Sequence, residues 1–328
     1  MTLVVCPNLA VDRLLSVDAV RPGETMRCRL EGQQAGGKGP NVVRALSALN
    51  GTAEGAALLG FVAGHQGRLF ELLAAEEHLA LEATELAHGE TRVSMVVLDL
   101  RGGVTRICEH GPAIAGDDAA RLVAAVRAHS PNGEEWALVT GAALPGAAAG
   151  FYAELIRALR DVGYRVMLDA AGEQLAAGLR EHPDLAKVNL AEACSAFGEP
   201  DDVCVDERQA PDGELALEGL ALCRRMVAAG AHDAIITLGR AGAVGLVAGQ
   251  EWRVSTPPVR AVNPVGCGDC FTAGLLTAFA RGDDDRAALA LAAGAGAANA
   301  VSLHTADVDS ALAAELAGGA SVGPPLPE

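Results

Sequence analysis

Residues 262–276 read VNPVGCGDCFTAGLL, and two readings of the middle of that stretch compete. Cys267-Gly268-Asp269-Cys270 is a C-x-x-C pair, the pattern of thiol redox centres and of zinc sites. It is equally a glycine turn that sets Asp269 in the first turn of a helix. In that second reading Gly266 and Gly268 let the backbone turn tightly, the free amides of residues 266–269 point at one spot, and the helix dipole favours negative charge there. Asp269 beside such an anion hole could take a proton from an attacking hydroxyl. An Asp that merely opens a helix is the plain alternative.

The rest of the chain bears on the choice. A structural zinc site needs two further ligands, and the sequence has no second C-x-x-C and no H-x-x-x-H pair. The eight cysteines, at 6, 28, 108, 194, 204, 223, 267 and 270, are scattered rather than framed as disulfide pairs. Most of them read as small buried hydrophobes. With 328 residues, half of them hydrophobic, the chain has material for a sizeable core. MTLVVCPNLAVDR carries no basic region ahead of a long apolar stretch, and no window reads as a membrane span, so a cytoplasmic location and no membrane partner are expected. A net charge of −17 opposes binding to nucleic acid, and any anionic ligand must be gripped by local donors against that field.

Those donors are unusual in kind. Lys38 and Lys187 are the only lysines among 25 basic residues. Lys38 sits in AGGKGPN and Lys187 in KVNLAE. Gly32 to Lys38 satisfies the first part of a Walker A loop, but Gly39 follows where Ser or Thr would have to hold Mg²⁺, and no apolar strand precedes it. A Rossmann fingerprint fails as well, for want of the third glycine after Gly266 and Gly268 and of an early βαβ unit.

Short apolar runs at Thr2–Cys6, Trp136–Gly141, Arg165–Asp169, Ala186–Leu190 and Ala234–Leu238 read as buried parallel strands. Amphipathic stretches at Asn41–Leu49, Ala119–Ala128, Phe151–Val162, Leu215–Ala229 and Phe271–Arg281 read as helices. The alternation predicts an α/β fold with a doubly wound, mostly parallel sheet flanked by helices. Two segments break it. Leu14–Gln33, around Pro22-Gly23, and Arg92–Cys108, around Arg101-Gly102-Gly103, read as hairpins that pair into a small second sheet. Residues 199–213 form a polar loop and 318–328 a mobile tail, leaving one domain over residues 1–317.

N-x-V-G-x-G-D-x-F-x-A-G, with AGGKGPNVVRAL far upstream, resembles the two signatures of the PfkB group of ribokinase-like sugar kinases. NLAVD at 8–12, GETR at 89–92, KVNLAE at 187–192 and TLGRAG at 237–242 follow in that family's order and spacing. The resemblance implies a ribokinase-like fold whose hairpins, at about 12–34 and 90–110, form a lid and a homodimer contact. It implies that Asp269 is the catalytic base, and that Gly266, Cys267 and Gly268 form the anion hole. Asp12, Gly36, Gly37 and Asn41 would hold sugar hydroxyls. On the ATP side it implies Lys187, Asn189 and Glu192, the last helping to organise Mg²⁺ through water, and Thr237, Gly239 and Gly242 along the phosphates. As plain alternatives, Glu192 is a solvated helix residue and the two glycines merely shape a turn.

The subgroup bears on the substrate. GETR resembles a feature of 1-phosphofructokinases and tagatose-6-phosphate kinases, with Arg92 gripping the acceptor's own phosphate and Lys38 supporting it. Asn263 stands where kinases of free sugars commonly have Asp. Departures from the pattern are Ala142 for a Ser that helps hold the sugar phosphate, Pro264 for Thr or Ser, Cys267 for Ala and Cys270 for Ser. The expected activity is ATP-dependent phosphorylation of a ketohexose phosphate, foremost fructose 1-phosphate. A kinase of an unphosphorylated sugar or nucleoside is the alternative, and a C-x-x-C redox or metal protein is the alternative from another class.

Overall fold

The computed structural model describes residues 1–52, 55–198, 211–255 and 257–324. The chain begins with β1 (Thr2–Asn8), β2 (Ala10–Val17), β3 (Arg29–Gly36), α1 (Lys38–Asn50), β4 (Ala56–Ala63), α2 (Gly64–Glu76) and β5 (Ala80–Leu86). It continues through β6 (Arg92–Asp99), β7 (Gly103–Cys108), α3 (Asp118–Arg127), β8 (Trp136–Thr140), α4 (Phe151–Asp161), β9 (Arg165–Asp169) and α5 (Gly172–Leu179). Next come β10 (Leu185–Asn189), α6 (Leu190–Ala196), α7 (Asp212–Ala228), β11 (Asp233–Thr237), β12 (Ala243–Val247) and β13 (Gln250–Ser255). Three helices, α8 (Cys267–Arg281), α9 (Asp285–Ala300) and α10 (Ser310–Gly319), and a last strand, β14 (Ser321–Gly323), complete the described chain.

Ten strands form one sheet in the order β14-β13-β12-β11-β10-β9-β8-β1-β4-β5. The seven from β11 to β5 are parallel, and β12, β13 and β14 extend the edge antiparallel. Helices cover both faces, so β4 and β8 are buried at every residue and β1 at all but Thr2, which is why they read as unbroken apolar runs instead of alternating ones. From β1 the chain goes to β4 and β5 on one side and later to β8 and its followers on the other. The order thus reverses between β1 and β8, where an open α/β sheet leaves a crevice at its carboxyl edge.

The two expected hairpins are present and share one small sheet, β3-β2-β6-β7. β2 pairs β3 antiparallel and β6 parallel, and β6 pairs β7 antiparallel. Its strands β2, β6 and β7 place Asp12, Arg92, Ser94, Arg106 and Cys108 along the crevice. All five predicted strands and all five predicted helices are found. The polar loop over 199–213 lies outside the described residues up to 210, and its end is already α7. The expected tail needs correction in its first half: Ser321–Gly323 pair with Arg253–Ser255, because Val322 has a buried place against the core and the edge of β13 has free backbone groups to offer. No described helix is long and apolar enough to cross a membrane.

Small residues draw the last helices together. A Cβ added at Gly274 of α8 would lie 2.6 Å from Ala292 Cα of α9, backbone that has no way to give. Gly274→Val is therefore expected to lower stability by about 1–3 kcal/mol through overpacking. Gly318→Ala, at a site with nothing within 4 Å, serves as the matched control. Urea melts of the two variants beside the parent give the comparison; equal midpoints for all three would contradict this packing.

Candidate active site

The crevice is a cavity of about 810 Å³. Strand ends line it: Asn8, Asn189 and Thr237 are the last residues of β1, β10 and β11, while Asp169, the last residue of β9, is fully buried and meets the cavity-lining Lys38 and Lys187. Two helices aim their N-termini into it. Each begins after a glycine that the turn requires, Gly37 at φ +103° before α1 and Gly266 at φ +86° before α8. Lys38 and Asn41 thereby stand in the first turn of one helix, opposite Gly268 and Asp269 in the first turn of the other.

Asp169 is the pivot. Its carboxylate, fully buried, accepts from Lys38 Nζ at 2.6 Å and from Lys187 Nζ at 3.1 Å. Burial pushes its carboxyl up, but the two ammonium groups outweigh that and hold it below its ordinary range. Lys187 also donates to the Gly268 carbonyl at 3.0 Å, which ties β10 to the glycine turn that opens α8. Lys38 reaches onward to Glu192 Oε1 at 2.6 Å. Burial works against its charge, and Asp169 and Glu192 more than restore it, so its pKa is raised.

Asp269 lies beside this chain of charges, with Oδ2 accepting from Asn41 Nδ2 at 2.8 Å. Burial pushes its carboxyl up to about 6, the charge of Asp169 adds to the effect, and Lys38, the Asn41 hydrogen bond and Lys187 hold it back. Two neighbouring carboxyl groups thus have opposite tendencies, one fixed as a charge and one poised to exchange a proton near neutrality.

On the side of the small sheet, Asp12 folds over Gly36, where an added Cβ would lie 2.0 Å from Asp12 Cγ. Burial raises the Asp12 carboxyl, opposed by Arg92, Arg106 and Arg44. Arg92 is held by Asn8, with Nε on Oδ1 at 2.9 Å and Nη2 on the carbonyl at 3.4 Å. Asn8 in turn donates to the His110 carbonyl at 3.2 Å. Arg106 on β7 lines the cavity with no ion-pair partner among the described residues.

On the other side Asn189 and Glu192 form a capping box for α6: Asn189 Oδ1 accepts from the Glu192 amide at 2.8 Å and Glu192 Oε2 from the Asn189 amide at 3.0 Å. Glu192 is therefore more than a solvated helix residue, since its other oxygen faces the cavity and holds Lys38. Asp169 and Glu192 converge from opposite sides on one ammonium. Of the two, only Glu192 lines the cavity, and a hard carboxylate oxygen there would suit Mg²⁺, which takes one or two carboxylates and fills its remaining positions with water and phosphate oxygens.

Twelve of the residues singled out from the sequence line the cavity: Asp12, Gly37, Lys38, Asn41, Arg92, Lys187, Asn189, Glu192, Thr237, Gly266, Gly268 and Asp269. Gly36, Cys267, Gly239 and Gly242 do not. Gly36 lies beneath Asp12, and Gly239 and Gly242 bound the short turn between β11 and β12. Cys267 turns away, its sulfur accepting from Asn299 Nδ2 at 3.3 Å. Asn263 stands outside as well, fully buried, donating to the Leu303 carbonyl and accepting from the Val265 amide. Cys267 and Cys270 are free thiols, burial pushes both up, and among the described residues no three His, Cys, Asp or Glu side chains converge on a point. The redox and zinc readings have no geometry to stand on. Sequence reasoning missed Asn8, Asp169 and Arg106.

A model of the pfkB family of carbohydrate kinases matches residues 1–310. The chain belongs to this family. It is an ATP-dependent carbohydrate kinase. A 1-phosphofructokinase of Rhodobacter capsulatus is 30% identical over 301 residues, 90% of each chain. Phosphofructokinase-2 of Escherichia coli shares the fold at 22% identity over 97% of this chain and 98% of that one. Its TM-score is 0.84 in a potassium complex and 0.83 in a tetrameric inhibited form. Its complex with fructose 6-phosphate gives 0.81 at 23% identity, over 96% of this chain and 98% of that one.

For this kinase, Asp269→Asn is expected to lower kcat about a hundredfold or more while ATP binding and the fold persist. With Asp269 as the base, the wild-type kcat should fall as pH drops through about 6, because a carboxyl group takes a proton only when ionised. Steady-state rates between pH 5 and 8 check both statements; near-normal turnover by the Asn variant would remove Asp269 from its role.

Proposed function

We propose that the chain transfers the γ-phosphoryl group of ATP to a hydroxyl of a ketohexose phosphate, with fructose 1-phosphate as the leading acceptor and fructose 1,6-bisphosphate as its product. The observation that carries the acceptor's phosphate is the pair of guanidinium groups on the lid. Arg92 is fixed by Asn8 with Nη1 unpartnered among the described residues, and Arg106 has no carboxylate of its own. A chain of net charge −17 that presents two such cations to one cavity is suited to an anionic sugar. The 1-phosphofructokinase relative supports fructose 1-phosphate over fructose 6-phosphate and tagatose 6-phosphate.

In this reading Asp12 and Asn41 orient the sugar, and its acceptor hydroxyl lies against Asp269. The carboxylate takes the hydroxyl proton as that oxygen bonds to the γ-phosphorus, and the bond to the bridging oxygen breaks to leave ADP. The amides of residues 266–269 and the α8 dipole stabilise charge on the transferring group. Glu192, with an oxygen at the cavity, would hold Mg²⁺ through water, and the ion would supply neutralisation of phosphate charge. Lys187, Asn189 and Thr237, with Gly239 and Gly242 behind them, form the nucleotide side. Exposed apolar side chains on the lid, Leu30 and Ile107 among them, favour a lid-to-lid homodimer, and a cytoplasmic location suits these substrates.

A screen of fructose, fructose 1-phosphate, fructose 6-phosphate and tagatose 6-phosphate with ATP and Mg²⁺ should rank a phosphosugar first. Arg92→Lys should raise the KM for that sugar about tenfold or more, since an ammonium cannot reproduce the two-oxygen grip, and leave the KM for ATP nearly unchanged. Preference for free fructose, or an unmoved KM in Arg92→Ala, would transfer the proposal to an unphosphorylated sugar.

A further inference from the structure

Arg44 touches none of the cavity, yet every one of its five N–H donors is used. Nε and Nη2 hold Glu77 Oε2, the first at 2.9 Å. Nη2 also donates to the Ala35 carbonyl at 2.6 Å, and Nη1 donates to Asn41 Oδ1 at 3.1 Å and to the Thr305 carbonyl at 3.4 Å. Glu77 uses its other oxygen to accept from the Ala35 amide at 2.7 Å. The pair therefore grips both backbone groups of the residue before Gly36, at the root of lid strand β3.

We propose that Arg44 is a positioning residue for the base: it fixes which way the Asn41 amide faces Asp269, and it locks that orientation to the root of the lid.

Donors and acceptors decide the orientation of Asn41. An amide side chain has an oxygen that accepts and a nitrogen that donates, and rotation by half a turn exchanges them. Asn41 lies between a group that can only donate, Arg44, and one that, when ionised, can only accept, Asp269. With the guanidinium in place its oxygen must face Arg44 and its nitrogen Asp269, so the base receives a hydrogen bond that favours the ionised form. Without it the flipped amide becomes available. Its oxygen then accepts from a protonated Asp269, and that arrangement favours the acid, which cannot act as base. Arg44 excludes the flipped state. The groups around Asp269 are Lys38 and Asn41 on α1, Asp169 on β9, Lys187 on β10, and the thiols of Cys6, Cys267 and Cys270; none of these takes the place of the Arg44 contact to Asn41.

The inference rests on Asp269 being the base, but its test does not depend on turnover. The carboxyl carbon of Asp269 is titrated by NMR in the wild type, Arg44→Met, Asn41→Ala and the double variant. Arg44→Met should raise the pKa of Asp269 by about half a unit or more and move the acid limb of kcat with it. In the Asn41→Ala background the same substitution should move it far less. Equal shifts in both backgrounds would mean that Arg44 acts as a distant charge only, and an unshifted pKa in folded Arg44→Met would mean that it does not act at all; either result overturns the proposal. If Arg44→Met does not fold, Arg44→Gln, a polar side chain that can accept as well as donate and so no longer dictates the Asn41 orientation, is read by the same criteria. Should Asp269→Asn keep full turnover, the kinase mechanism fails while the coupling of the three side chains still stands or falls on the titration.

Discussion

Asp169 lies in the interior between two ammonium groups, and the cleft is organised about that contact. Lys187 comes from the neighbouring strand and Lys38 from the helix across the crevice, so one carboxylate ties the sheet, α1 and, through the Gly268 carbonyl, the turn that opens α8. A buried charge network of this kind is weak as a source of net stability. Removing one partner is costly all the same, at about 3–5 kcal/mol, because the others are left uncompensated. What the network provides is arrangement: it places two ammonium groups beside the turn that opens α8, where they draw the Asp269 carboxyl back down against the effect of its burial.

Much of this was readable from the sequence because the fold and the site obey local rules. Buried parallel strands leave apolar runs, and a helix that opens on glycine leaves a glycine ahead of an amphipathic stretch. Other parts obey rules that act only in three dimensions. β4 carries Gly60 in its middle, where the strand runs so close to the Cys6 carbonyl that an added Cβ would lie 2.3 Å from it; in the sequence that glycine looks like a break. The β12–β13 hairpin turns on Ala248-Gly249 with both residues at positive φ, and an alanine there does not announce a turn as asparagine would. Asp169 looked like the end of a strand, which it is. Only the topology, with the crevice at the carboxyl edge, turns that end into a site.

The C-x-x-C question is answered by geometry instead of composition. Three-residue spacing at the start of a helix puts the two thiols about one turn apart, yet they meet different surroundings. Cys267 faces the Asn299 side chain, and Cys270 packs in the core beside α1 and the sheet. Asn299 also donates to the Val265 carbonyl at 2.9 Å and accepts from the Ala306 amide at 2.7 Å. The thiol is thus one of several groups through which α9 steadies the anion-hole turn from behind.

The two lysines give the chain's composition a stereochemical limit. A bias that fills the other basic positions with arginine meets, at Lys38, two carboxylates converging on a single atom, and at Lys187, a pocket where the ammonium lies 3.3 Å from where a Gly268 side chain would begin. A planar guanidinium spreads its donors over three nitrogens and has no single point to offer there. In a chain that uses arginine at all its other basic positions, the two exceptions mark places where shape outweighs charge.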